Sequence, residues 1–367
     1  METAERRATA ALWTLNGVGP KTLQGLERTF GGLGALLGVP VRQWERRATL
    51  TDRARESLSE LRSLAEVADQ LEATLRRLGQ RVVFPRDADW PPPLPGAVAP
   101  VLFVVGPGGG APRRRVALVG TRHPEPGVCE RVRRLASELV SAGLVVVSGG
   151  AEGVDQAAHF GALLGRGETW AFLGSAIEQM DPAQRVLWKP FKERGGTFFS
   201  QFPPGTRADR TTFRRRNPLI SGASDAVLVA RAPVKSGALI TAEAAVAQRR
   251  PLLVFPGDPW NLAAVGSNQL LHAGVATVCL SAADVIRAVG LKGAIAQPTL
   301  GVSAAEREPV SEDATAVLKV LDRHPADIDE LVAKCGLESG RLSACLVELQ
   351  LAGYVVQKAG GRFEKSQ

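Results

Sequence analysis

Up to about residue 80, apolar residues recur at helical spacing, through Ala11–Leu15, Leu23–Phe30, Leu33–Leu37 and Leu58–Leu78. Spacings of three and four put them on one helix face, so a helical domain is predicted over 1–80. The next stretch, Phe84 to Pro100, contains Trp90-Pro91-Pro92-Pro93 and predicts an extended linker or arm. It runs into an apolar segment, Val101–Val105, and a loop, Gly106–Pro112. From Val116 the pattern changes. Short strand-like runs stand at Val116–Val119, Leu144–Val147, Thr169–Leu173, Thr197–Phe199, Ala226–Ala230, Leu252–Phe255 and Val275–Cys279. Helical patterns lie between them, at Glu130–Ser141, Gly153–Leu164, Ala183–Glu193, Ala238–Ala247 and Ala282–Val289. Such alternation predicts an α/β fold, a Rossmann-like, doubly wound, mostly parallel sheet over 82–290.

Leu291–Pro309 is low in apolar periodicity, and 291–310 is read as a linker. Beyond it come three short helical patterns, Ala314–Leu321, Ile328–Cys335 and Arg341–Leu351. Gly353-Tyr354-Val355-Val356 and a Gly360-Gly361 turn follow. Three helices and a small hairpin predict a winged-helix domain over 311–367, a fold that binds duplex DNA or proteins.

Composition narrows the function. The chain has 367 residues, enough for two or three domains, and its 45% apolar and 22% charged residues are ordinary for a soluble protein. No apolar run is long enough to span a bilayer. The start, METAERRATAAL, has no signal-peptide core. A cytoplasmic protein without a membrane partner is the expectation. Cys129, Cys279, Cys335 and Cys345 form no C-x-x-C pair, so reduced thiols and no metal site are expected. His159 lies four residues after Asp155 in a predicted helix, where a structural contact is the better reading.

The net charge of +8 favours polyanionic partners only weakly. Its distribution says more. Arg113, Arg114 and Arg115 are consecutive, and Arg207, Arg210, Arg214, Arg215 and Arg216 share a short stretch with one acid, Asp209. If Arg207, Arg210 and Arg214 are helical, they lie near one face.

Three predicted turns carry glycine or small residues with polar ones. They are Gly120-Thr121-Arg122, Ser148-Gly149-Gly150-Ala151-Glu152-Gly153, and Lys235-Ser236-Gly237, which leads into a helix. Glycine lets a backbone approach an anion, helix N-terminal amides and hydroxyls donate, and Arg122 and Lys235 supply charge. On a doubly wound sheet these turns meet at one edge, where ligands bind beyond the strand C-termini. Nearby in sequence, Phe213-Arg214-Arg215-Arg216-Asn217 offers cations for successive phosphates and a ring that either stacks on a base or anchors the segment in the core. A second, shorter candidate is the G-x-G-x-x-T turn Gly17–Thr22, which resembles a helix-hairpin-helix.

No turn is a G-x-x-x-x-G-K-[ST] phosphate loop, and no G-x-G-x-x-G follows the first strand. ATPase and dinucleotide readings fail, no cofactor is implied, and no catalytic constellation stands out. A binder of phosphate backbones is expected rather than an enzyme.

At these residues the chain resembles DNA-processing protein A (DprA, also called Smf), over about residues 82–290. The family's G-S-R stands as Gly120-Thr121-Arg122, and its S-G-x-A-x-G-I-D as Ser148 to Asp155 with Val154 for Ile. Its F-P-x-R-N-R-I-I stands as Phe213 to Ile220, and its S-G-S-L-I-T-A as Ser236 to Ala242 with Ala238 for the second Ser. Pro256-Gly257 and Gly266-Ser267-Asn268-Gln269-Leu270-Leu271 complete the series. The ordered set is far more specific than any one match. The resemblance implies a bacterial, non-enzymatic recombination mediator for natural transformation. Such proteins bind and protect incoming single-stranded DNA, help load the RecA recombinase, and dimerise through the Rossmann-like domain. A sterile-alpha-motif-like N-terminal domain and a C-terminal winged helix, a candidate for duplex DNA, are common accessories. Departures are Pro218 for the second Arg of R-N-R, Arg214 at the usual Pro, Gln201 and Arg231 for common acids, and Asp181 where Tyr is usual. Loss of two acids predicts a more basic pocket.

Two other classes compete. Ser236–Glu243 echoes the G-x-x-x-T-x-E of phosphoribohydrolases that cleave nucleoside monophosphates. A winged helix beside a sensor domain would make a transcription regulator.

Overall fold

The computed structural model describes residues 3–44, 48, 50–92, 94, 99–109, 113–291, 311–321, 324–352, 354–358 and 361–365. The predicted linker 291–310 lies outside the described residues except for Leu291. Strands are numbered in chain order: β1 Arg81–Val83, β2 Leu102–Val105, β3 Arg115–Gly120, β4 Val145–Ser148, β5 Thr169–Phe172, β6 Thr197–Ser200, β7 Ala226–Arg231, β8 Leu252–Val254, β9 Thr277–Val278, β10 Val355–Gln357 and β11 Phe363–Lys365. The chain falls into two units, one of residues 1–112, 171–181 and 197–223, the other of 113–170, 182–196 and 224–367. β5 spans the division at residue 171.

The first unit begins with helices Thr3–Trp13 and Pro20–Phe30, and continues with Asp52–Ser59 and Leu64–Leu78. The predicted helix over Leu58–Leu78 is broken before Leu64, where Ser63 adopts an extended N-cap and accepts the Glu66 N–H at 3.1 Å. A cap ends one helix and starts another without disturbing the apolar spacing. Leu33–Leu37 likewise contains a 3-10 turn, Gly34–Leu37, rather than an α-helix. The amides of Leu33 and Gly34 donate to the Glu5 carboxylate at 2.9 and 2.7 Å, tying this turn to the first helix.

Gly17 of the G-x-G-x-x-T turn has φ +76°, and a Cβ there would lie 2.6 Å from the Ala54 nitrogen. That glycine serves close packing on the helix Asp52–Ser59. Trp90 of the proline-rich stretch is buried, its indole N–H donating to the Leu94 carbonyl at 2.9 Å. The described residues 84–92 form turns, with the Asp87 N–H donating to the Phe84 carbonyl and the Trp90 N–H to the Asp87 carbonyl, both at 3.0 Å. Two strands in this unit escaped the sequence reading. β1 and β2 pair antiparallel, and β2 pairs antiparallel with β6.

The second unit carries the doubly wound sheet. Its strands are hydrogen-bonded in the order β4-β3-β7-β8-β9, and every one of these pairings is parallel. β5 lies next to β4, where the Val146 N–H donates to the Glu168 carbonyl at 3.2 Å and the Thr169 hydroxyl to the Val146 carbonyl at 2.9 Å. From β3 the chain spreads one way through β4 and β5, then the other way through β7, β8 and β9. The strand order therefore switches between β3 and β7.

Alternate residues explain why these runs are continuously apolar. Val116, Leu118, Val146, Leu228 and Leu253 pack with helices Pro126–Ser141, Val154–Leu164 and Ala282–Ala288. Ala117, Val119, Val147, Val229 and Val254 are buried as well. A strand covered on both faces has no solvent side to carry polar residues. β9 is the exception: only Thr277 and Val278 form it, and both are exposed.

The segment 311–365 folds around Val317, Leu331, Leu342, Leu346, Val355 and Phe363. Helices Glu312–Leu321, Ile328–Cys335 and Ser339–Leu351 precede the antiparallel hairpin β10–β11, as predicted for a winged helix.

Candidate nucleic-acid interface

Two of the three predicted turns stand at the point where strand order switches. β3 ends at Gly120, and the Thr121 N–H donates to the carbonyl of Arg231, the last residue of β7, at 2.8 Å. Arg122 follows and is exposed. Gly153 holds this loop from behind. Its φ is +81°, and a Cβ would stand 2.6 Å from the Arg122 carbonyl oxygen. Only glycine fits both the backbone and the gap.

The β7 loop carries Lys235, Ser236 and Gly237, of which Lys235 and Gly237 are exposed. Ser236 caps the helix Gly237–Ala247, its oxygen accepting the Ala238 N–H at 3.3 Å. A Cβ at Gly237 would meet no atom within 4 Å. Open space, a helix N-terminus and a lysine together suit an approaching anion.

The β4 turn differs from its expectation. Ser148 is fully buried, and its hydroxyl donates to the Leu118 carbonyl at 2.6 Å, between adjacent strands. Gly149 and Gly150 are buried too, and Gly150 has φ +73°. The Gly149 N–H donates to Asp155 Oδ2 at 3.1 Å, and the Ala151 N–H reaches the same oxygen at 3.4 Å. The turn thus spends amides on an internal carboxylate, and the Ser148 side chain braces the sheet rather than facing a ligand. Asp155 is the anion of this nest. His159 has a separate structural contact, with Nδ1 2.7 Å from Thr169 Oγ1.

Glu125, which the sequence reading did not single out, joins three loops. It accepts Arg231 Nε–H at 3.4 Å and the Asn261 side-chain amide through a short hydrogen bond. Burial pushes the Glu125 carboxyl up, but its hydrogen bonds, including Asn261, and the Arg231 charge outweigh this and hold it below the usual range. Arg231 is therefore occupied internally. Gln201, the other departure from an acid, is buried at 3% exposure, in the first unit. Neither change adds an outward-facing cation: Arg231 is paired with Glu125, and Gln201 is neutral and buried.

Arg210, Phe213, Arg214, Arg215, Arg216 and Asn217 lie on the helix Arg210–Gly222 of the first unit. Arg207 precedes this helix, so it does not share the predicted helical face. Asp209 caps the helix, accepting the Thr212 N–H at 2.7 Å while Thr212 Oγ1 accepts the Asp209 N–H at 2.9 Å. Arg210, Arg214 and Arg215 are exposed around the N-terminal turns, where the helix dipole adds to their positive field. Arg216 and Asn217 are buried, at 3% and 8% exposure. The Arg216 guanidinium donates to the Phe172 carbonyl and lies 5.6 Å from the centre of the Phe213 ring. Phe213 in turn packs on Gly174, where a Cβ would come within 2.6 Å of the ring. Phe213 anchors the helix, and the outward-facing cations are Arg210, Arg214 and Arg215. Pro218 sits within the helix and has no N–H to offer the Arg214 carbonyl.

The G-x-x-x-T-x-E echo does not present its groups together, because Thr241 is buried and Glu243 is exposed. Among the described residues no three His, Cys, Asp or Glu side chains are grouped to hold a metal ion. No helix of the described residues is long and apolar enough to cross a membrane. In the winged helix, Arg341, Lys358 and Arg362 sit against Asp313, Glu364 and Glu330 respectively.

This arrangement has close counterparts. Residues 81–290 match the family described as DNA recombination-mediator protein A, and residues 302–361 match the DprA winged helix domain. A Protein Smf of Synechocystis is 32% identical over 279 residues, covering 68% of this chain and 70% of its own. The Escherichia coli Protein Smf is 30% identical over 291 residues, covering 76% of each. The X-ray structure of DNA processing protein A from Streptococcus pneumoniae shares the fold, with TM-score 0.56 and 23% identity over 78% of this chain and 98% of that one. Together with the ordered motifs on β3, β4 and β7, these matches show that the chain belongs to the DprA/Smf family of DNA recombination-mediator proteins.

Proposed function

We propose that this protein binds single-stranded DNA and acts as a recombination mediator in natural transformation. The observation that carries the reading is the pairing of β3 and β7 at the strand-order switch, which sets exposed Arg122 just after Gly120 and exposed Lys235 on a loop left open at Gly237. Two cations and a helix N-terminus suit the phosphates of a strand, and Gly237 leaves room for its backbone, while Gly120 packs against Val154. Ser148, Gly149 and Gly150 support this ledge from within. Arg210, Arg214 and Arg215 give the first unit its own exposed basic helix end, suited to phosphates by the same reasoning. Arg216, Asn217 and Phe213 hold that helix in place.

Protection of the strand and help in loading RecA belong to the same reading, as does a cytoplasmic site of action. So does homodimerisation through the Rossmann-like domain. The edge strand β9 is exposed, and Val275, Val278 and Leu280 stand beside or within it at 45%, 43% and 77% exposure. An exposed edge with apolar neighbours suits a second copy of the chain. The ion-paired basic residues of the winged helix favour a protein contact there over duplex phosphates.

Competition binding tests the proposal. A labelled single strand should be displaced by unlabelled single strand far more readily than by duplex of the same sequence. Equal displacement by duplex would refute the single-strand reading, and nucleotide hydrolysis lost in Glu243→Ala would favour an enzyme.

A further inference from the structure

Trp260 is 90% exposed and Leu262 is 81% exposed, on the loop between β8 and the helix Val265–His272. Trp13, Trp44, Trp90 and Trp170 are buried, so the position of Trp260 is not the habit of tryptophan in this chain. Displaying an indole to water needs a reason. A flexible loop tip could supply one, but this loop is pinned along its length. The Trp260 N–H donates to Asp258 Oδ1 at 2.9 Å, and the Asn261 N–H to the Asp258 carbonyl at 3.0 Å. Asn268 brackets Gly257, accepting its N–H at 3.1 Å and donating to its carbonyl at 3.0 Å. A Cβ at Gly257 would meet Arg231 Nη1 at 2.2 Å. Asn261, the neighbour of Trp260, donates to Glu125, the carboxylate that also receives Arg231.

The loop bearing Trp260 is therefore fixed to the two loops that carry Arg122 and Lys235. We propose that Trp260, with Leu262 beside it, is a stacking platform for an unpaired base of a bound single strand. The chemistry of the loop selects the base over the backbone. It offers a flat π surface and an apolar neighbour, and the one charged residue of the loop, Asp258, repels phosphate. Stacking on a rigid indole needs no particular base, since every base has a π face. The cationic loops would hold phosphates while Trp260 holds a base of the same strand.

The proposal rests on reading the switch-point loops as the single-strand interface, and its test separates the two. Wild type, Trp260→Ala, Trp260→Phe and Arg122→Ala are titrated with an oligothymidine and with an abasic strand of equal length. Trp260→Ala should weaken oligothymidine binding by about 5- to 150-fold. Trp260→Phe should retain most of the affinity, and the salt dependence should be unchanged. On the abasic strand, Trp260→Ala and wild type should bind alike. Equal oligothymidine binding by Trp260→Ala and wild type overturns the platform while leaving the interface intact, provided Arg122→Ala is weakened. Equal loss on both strands, or a loss that tracks dissociation of a dimer in sedimentation, assigns Trp260 to a protein contact and overturns it as well. If Arg122→Ala binds like wild type, both readings fall.

Discussion

The Thr121 N–H donates to the Arg231 carbonyl at 2.8 Å, one bond that joins the ends of β3 and β7 where the sheet changes its direction of growth. Everything assigned to the DNA interface of the second unit hangs from those two strand ends. The first prediction concerns the glycines behind and in front of them. Gly153→Ala forces a side chain into φ +81° and against the Arg122 carbonyl. It should lower stability by about 1–3 kcal/mol in thermal melts, and displace the Arg122 loop. Gly237→Ala meets open space at a helix start, so stability should hold or rise slightly, by up to about 1 kcal/mol. Its single-strand affinity should nonetheless fall, because the added methyl occupies the room left for a backbone. Gly237→Ala with unchanged affinity would remove that loop from the interface.

The arginines of the helix Arg210–Gly222 should separate into two groups. Arg214→Ala and Arg215→Ala should reduce DNA affinity with melting changed by less than about 0.5 kcal/mol, as for ordinary surface sites. Arg216→Ala should cost about 1.5–3 kcal/mol of stability, since it removes a buried charged donor from the Phe172 carbonyl. Chemical denaturation and strand binding, measured on the same variants, check the division. The reverse pattern would mean that the buried and exposed roles are misassigned.

Arg6 grips Asp87 with two hydrogen bonds of 2.6 and 2.8 Å. The Arg6 hydrogen bond holds the Asp87 carboxyl below its usual range, against the opposing effect of burial, and the Phe84 N–H adds to the lowering. A carboxyl depressed by folding adds stability that is fully present above its unfolded pKa of about 4 and is lost as pH falls through the folded value. Asp87→Asn should therefore cost about 1–2 kcal/mol at neutral pH and narrow its gap from wild type as the solution is acidified below pH ~4. A constant gap across that range would show that the pair contributes nothing through its charge.

All four cysteines are free thiols. Burial pushes the Cys279 thiol up to about 12, and it raises Cys129, Cys335 and Cys345 as well. The thiolate is the nucleophile, so native protein at neutral pH should react slowly with iodoacetamide and rapidly once unfolded. Fast native labelling of Cys279, read by peptide mass spectrometry, would contradict its burial in the core just after β9.

How much of this was legible in the chain depends on where the information lies. Runs such as Val116–Val119 and Leu144–Val147 announced buried parallel strands because both faces are covered. β1 did not, because Arg81–Val83 is too short for a period to show, and at β2 the apolar run Val101–Val105 marks burial without distinguishing strand from helix. The helix Val265–His272 was missed too, among glycine and polar residues whose contacts lie on other loops. For the proposed interface, residue types pointed to the turns at Gly120, Lys235 and Gly237. They could not reveal that Ser148 and Arg216 point inward, since serine and arginine carry no mark of burial. Glu125 was invisible for a related reason: its partners, Arg231 and Asn261, are more than a hundred residues away in sequence.

The most direct test of the central claim is the salt dependence of single-strand binding by the full-length protein and by Arg122→Ala and Lys235→Ala. For wild type, log affinity should fall linearly with log salt, with a slope of about −0.7 per neutralised phosphate. Each variant should bind more weakly and lose about 0.7 from that slope while melting like wild type. Variants that keep both the affinity and the slope of wild type would contradict the assignment of the β3 and β7 loops to the DNA backbone.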